Sequence, residues 1–151
     1  MALQSAPKRF AAQSDVAISK TRGEIQHLLE KWGCRQIGFM DDFHLKRTMI
    51  QFTWISESGV HFAAQFSLKL SPIPGRTQNW QDGELRGRWR TLYYWLRSAF
   101  AAVEAGIIEP EALFLPWILQ RSGETVSDTL LRDMKKLSGG GLLRIEGGAT
   151  K

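Results

Sequence analysis

Arg86, Arg90, Tyr93 and Arg97 are spaced four, three and four residues apart, which on a helix stacks them along one side. Planar guanidinium groups grip phosphate oxygens bidentately, and a tyrosine ring between them offers a surface on which a base can stack. The row therefore has the chemistry of a nucleic-acid contact, with Arg88, Arg76 and Lys69 as secondary cations. The same pattern also describes a solvated helix face, with the arginines pointing into water.

Other chemistry is thinly represented. Asp41-Asp42-x-His44 is the one compact acid and histidine cluster, placed in a turn between strands, and its nearest candidate co-ligands, Glu57 and His61, lie in another loop. No Gly-rich phosphate loop, nucleophile elbow or His-Glu-x-x-His motif occurs. Cys34 follows Gly33 near a helix C-terminus, where the dipole disfavours a thiolate. These residues predict a protein that is not an enzyme, with no cofactor and no metal site. The loop Gly75-Arg76-Thr77-Gln78-Asn79-Trp80 offers a further contact, or Trp80 only pins the loop to the core.

The elements that carry these residues follow from hydrophobic period. Asp82 to Gly106 reads as one long helix, with Leu85, Trp89, Leu92, Leu96, Phe100 and Val103 as its core stripe and the arginine row on a neighbouring side. Thr21-Arg22-Gly23-Glu24 matches a capping box that opens a first helix ending at Gly33. Three strands separate the helices: 36–40, 49–55 and 60–70. In the second, Ile50, Phe52 and Trp54 share one face; in the third, Val60, Phe62, Ala64, Phe66, Leu68 and Leu70 do so. The turn Ser56-Glu57-Ser58-Gly59 makes these two an antiparallel hairpin. The opposite face, with Gln51, Thr53, His61, Gln65, Ser67 and Lys69, is expected to be polar and wet, and its lack of projecting aromatics argues against a stacking platform.

After the long helix, Glu109-Pro110-Glu111 starts a short helical turn, and Leu115 to Leu119 is apolar and expected to be buried, as an extended segment broken at Pro116. A last helix runs to Leu137 with Leu130, Leu131 and Met134 inward. The fold class is thus α+β: a three-stranded antiparallel sheet with helices packed on one face, in the order α-β-β-β-α, plus a C-terminal helical appendix. Residues 1–18 form a flexible N-terminal arm in which Val16-Ala17-Ile18 offers a short edge strand. Residues 19–137 form the single domain, and 138–151 a flexible Gly-rich tail.

Composition favours an anionic partner. The 151 residues carry a formal net charge of +5 and a pI near 9.7. Residues 101–120 hold three glutamates and no Lys or Arg, so the rest of the chain is more basic still. One cysteine excludes an intramolecular disulfide and fits a reducing cytoplasm. The apolar runs are too short to span a bilayer.

The element order is similar to that of double-stranded-RNA-binding domains, with a Gly59-Val60-His61 tripeptide at a strand end. The family's comparable loop lies between its first two strands, however, and the lysine cluster that opens its last helix is absent here. A second set of motifs, Thr21-Arg22-x-Glu24-Ile25, Arg88-Trp89-Arg90-x-Leu92, Ala102-Val103-Glu104-x-Gly106-Ile107, Phe114-Leu115-Pro116 and Gly123-x-Thr125-Val126, resembles small proteins encoded in phage and prophage genomes, over residues 19–135. That resemblance carries no activity with it. It implies an accessory role in DNA metabolism or in interference with host defence. The functional expectation is a cytoplasmic, non-enzymatic protein that binds DNA or RNA. The alternative is a modulator that binds a host protein or nucleoprotein complex, acting through the basic helix or the acidic 104–111 stretch.

Overall fold

Alternation in 47–55 and 61–69 decides the architecture, because each strand has one face that must leave water. The computed structural model describes residues 10–70 and 72–137. Its elements are α1 (Ile18–Lys31), β1 (Gln36–Asp42), β2 (Arg47–Ile55), β3 (His61–Lys69), α2 (Gln78–Glu104), α3 (Pro110–Phe114), a single 3-10 turn over Leu115–Trp117, and α4 (Val126–Leu137). The three strands form one antiparallel sheet with β2 in the centre. The α+β class and the order α-β-β-β-α with a C-terminal helix are as the sequence indicates.

The register puts Ile37 against Phe52, Phe39 against Ile50, Phe52 against Ala64 and Ile50 against Phe66, so these side chains share the face that α1 and α2 cover. Aromatic contacts join the two layers: Phe39 meets Trp89, Trp54 meets Phe100, and Phe66 meets Trp95. The helices contribute Ile25 and Leu29 from α1 and Trp89, Leu92, Leu96 and Phe100 from α2, all buried. Ring packing of this kind adds roughly 0.5–1.5 kcal/mol per pair beyond area burial.

Several boundaries and orientations differ from expectation. Helix α2 starts at Gln78, four residues before Asp82, because the Thr77 hydroxyl caps it by accepting from the Trp80 N–H. Helix α1 starts at Ile18, so Val16-Ala17-Ile18 is no edge strand, and Thr21 and Glu24 lie inside the helix rather than capping it. On the outer sheet face Met49 and Gln65 are only 5% and 6% exposed. Central β2 crowds Met49 between Met40 and Ser67, and the Gln51 amide closes over Gln65 at 2.6 Å. The face is wet at its margins, where His61, Ser67 and Lys69 are exposed.

The N-terminal segment 10–16, expected to be mobile, packs along α2. Phe10 sits edge-on against Tyr94, and the Ser14 carbonyl accepts from Arg86. At the other end, Leu130 and Leu131, expected inward, are 52% and 56% exposed, because α4 meets the rest of the fold mainly at the 3-10 turn. The Gly-rich tail expected over 138–151 lies outside the described residues. No helix among the described residues is long and apolar enough to cross a membrane.

Candidate nucleic-acid interface

Helix α2 is enclosed on more sides than its sequence pattern indicates. Its apolar stripe lies on the sheet, and α1 docks against the neighbouring flank, which is the flank carrying the arginine row. Arg90 is consequently 8% exposed and forms an ion pair with Glu24 of α1. The same guanidinium donates to Thr21 Oγ1 and to the Tyr94 hydroxyl, and it lies over the rings of Tyr93 (4.9 Å) and Tyr94 (5.1 Å). Burial pulls its pKa down, but the hydrogen bonds to Glu24 and Tyr94 outweigh that and the net shift is upward.

The expectation that Arg90 points into water is therefore corrected: it joins two helices. Arg86 is also engaged, donating from Nε to the Ser14 carbonyl at 2.7 Å. Tyr93 is half-buried beneath Arg90, and of the row only Arg97 is exposed. The row is aligned as its spacing requires, but it is not a free surface.

A different set of cations converges at one end of the sheet. Arg47 opens β2 and stands directly opposite Lys69, the last residue of β3. Arg88 projects from the other flank of α2 and donates to the Lys69 carbonyl at 2.9 Å. Lys46 precedes Arg47 in the β1–β2 turn, and its carbonyl accepts from Leu70 N–H at 2.8 Å. Lys46, Arg47 and Lys69 thus lie together along the backbone at one end of the sheet, the Arg47 and Lys69 side chains on its outer face, while Arg88 reaches the same end from the helix-covered side; none of the four forms an ion pair with a described residue. The cluster is not purely basic: Asp42 pairs with Arg47 in register, and Asp82 and Glu84 share a groove with Lys69 and Arg88. Arg76, in the loop before α2, stacks over Trp80 at 4.6 Å and is exposed. Trp80, the third residue of α2, is half-buried beneath that arginine.

The acid and histidine cluster comes apart by strand alternation. Asp41 turns toward the helices and pairs with Arg22 at 2.9 Å, while Asp42 uses Oδ1 to accept from the backbone N–H groups of His44 and Leu45. The Thr48 hydroxyl, and after it Arg22, hold the Asp41 carboxyl below the usual carboxylate range against an opposing push from partial burial. Among the described residues no three His, Cys, Asp or Glu side chains are grouped as a metal would require. Cys34 is buried, and burial pushes its thiol up to about 12.

Sequence reading overlooked Lys46 and Arg47 because each stands alone in its local stretch. Their alignment with Lys69 depends on strand register, which a turn length and an alternation pattern fix only together. Comparison with protein-family models, with curated proteins and with solved structures yields no match.

Proposed function

We propose that this protein is a non-enzymatic nucleic-acid-binding accessory protein, with Lys46, Arg47, Lys69 and Arg88 as its principal phosphate contacts. The observation that carries this reading is the gathering of Lys46, Arg47 and Lys69 at one end of the sheet, with Arg88 reaching the Lys69 carbonyl from the helix side and none of the four in an ion pair with a described residue. Backbone phosphates demand little more than several positive charges held in a fixed arrangement. Arg76 and Arg97 lie outside the cluster and serve as peripheral contacts, whereas Arg90, Arg86 and Tyr93 support the helix that presents Arg88. An accessory role of the kind that the phage resemblance implies is part of the same reading.

A specific feature favours a second reading. Helix α4 exposes Leu130 and Leu131 side by side, and apolar exposure on an amphipathic helix is what a protein-binding modulator presents. Salt separates the two. In an anisotropy assay with labelled single- and double-stranded oligonucleotides, affinity should fall as salt rises, by roughly 0.9 log units per log unit of salt for each phosphate contacted on a duplex. Lys69→Ala and Arg88→Ala should each shallow that slope by about one unit while leaving the melting temperature nearly unchanged. Absence of binding at low salt overturns the nucleic-acid reading and leaves the modulator.

A further inference from the structure

We propose that the cleft at the C-terminal end of α2 is a binding site for an organic cation, an ammonium or guanidinium group held against Trp32 and Trp54 and ringed by Glu57, Glu104, Glu109 and Glu111. The cleft has a volume of about 890 Å³, against 250 and 440 Å³ for two cavities on the outer sheet face. It is built where four segments end. Trp32 caps α1, Trp54 is the penultimate residue of β2, Glu57 lies in the β2–β3 turn, and the other glutamates flank the passage from α2 into α3. Among the described residues no lysine or arginine lines it.

Three independent features agree on the sign and size of the occupant. Both indoles are half-buried and fixed: Trp32 stacks on Phe100 at 5.1 Å with an interplanar angle of 13°, and Trp54 meets Phe100 and Phe114 edge-on. Indole faces attract cations through their quadrupole, and aromatic walls are the usual receptor for methylated ammonium groups.

The second feature is the long helix itself. Its negative pole points to this end, and its last turn holds Glu104 and no basic residue to offset the dipole. The third is the spread of the acids. Glu111 is fixed by the Ser58 hydroxyl at 2.7 Å, and hydrogen bonds from Ser56 and Ser58 keep its carboxyl below the usual range. Yet among the described residues no three carboxylates are grouped as a metal ion would require. Diffuse negative charge around an aromatic wall suits a large, weakly hydrated cation, and the volume leaves room for the chain attached to it.

The source of such a cation is either a free quaternary ammonium compound or the side chain of a basic partner, and the test separates them. The full-length protein is titrated with choline, with the neutral isostere of choline in which carbon replaces nitrogen, and with an arginine capped at both ends, while NMR follows the indole N–H resonances of Trp32 and Trp54. Choline or capped arginine should shift both resonances in a saturable way, and the neutral isostere should not. Tighter binding of choline identifies a free ligand, and tighter binding of arginine identifies a partner side chain. Glu104→Gln combined with Glu109→Gln removes two exposed charges without touching the core, so it should fold normally and weaken binding about tenfold. The site is overturned if the isostere shifts the same resonances equally, if no cation shifts them at tens of millimolar, or if the double variant binds as well as wild type.

Discussion

Arg90 holds α1 to α2 by more than apolar contact. With its side chain 10% exposed and that of Glu24 32% exposed, removing the cation strands a carboxylate in a partly desolvated seam. Arg90→Ala should therefore destabilise the protein by about 2–4 kcal/mol, toward the lower side of the range for buried pairs because Glu24 retains water. Arg97→Ala, seven residues on and exposed, should stay within about 0.5 kcal/mol. Chemical denaturation of the two variants checks both, and equal losses would mean that Arg90 is not the joint described. The second ion pair into α1 gives a pH signature. Asp41 titrates below its unfolded value, so the folded state binds its proton less tightly than the unfolded chain does. Its contribution is complete above the unfolded carboxylate pKa and fades as pH falls through the folded one. Asp41→Asn should flatten the acid side of the stability profile and leave the slope near neutrality unchanged.

At the scale of elements, the glycines of α2 explain why segment 10–16 lies along the helix. A Cβ at Gly87 would stand 2.6 Å from the carbonyl oxygen of Ala11, which is backbone and cannot swing aside, and one at Gly83 would collide with the Gln13 side chain. Docking also holds Ala11 and Gln13 at positive φ, 55° and 56°, which costs roughly 1–2 kcal/mol per residue. That cost is offset by the Phe10–Tyr94 edge contact and by hydrogen bonds at Ser14 and Gln13. Gly87→Ala should add about 1 kcal/mol of helix propensity to α2 while expelling the segment. Hydrogen exchange should rise across 11–16 with little change in melting temperature, and unchanged exchange there would refute the close approach. Strand alternation made the sheet legible, since Phe62, Ala64 and Phe66 point inward as their period requires. The arginine row was legible as a row but not as a seam. Thr21-x-x-Glu24 satisfies the local pattern of a helix cap, and nothing local reveals that its two side chains are instead reserved for an arginine far along the chain. Gly83 and Gly87 likewise conceal a seat whose occupant lies elsewhere in sequence.

Over the whole molecule, the chain beyond α2 divides into a part that completes the core and a part that rests on it. Phe114 is fully buried and meets the rings of Phe52, Trp54, Phe62, Phe66 and Phe100, so both layers close around it. Just after it, Ile118 bridges to Ala64, and the Leu119 N–H donates to the Ala63 carbonyl at 2.7 Å, extending the sheet by a short edge. Residues 110–119 therefore belong to the fold although their sequence, apolar and interrupted by two prolines, shows no period that would place them. Helix α4 contrasts with this, joining the body through Val126 N–H to the Ile118 carbonyl and through its contact with the 3-10 turn. Phe114→Ala should cost about 3–5 kcal/mol, as deletion of a large buried ring does. A chain ending at Thr125 should by contrast keep one cooperative thermal transition, because it retains the edge pairing and every buried core ring. Near-ultraviolet circular dichroism during heating distinguishes the two cases, since Trp54, Trp95 and Trp117 surround the core that Phe114 fills or contact it through Phe66. Loss of that signal on shortening to Thr125 would show that α4 supports the sheet after all, and its exposed leucines would then have to be sought in another arrangement of the helix.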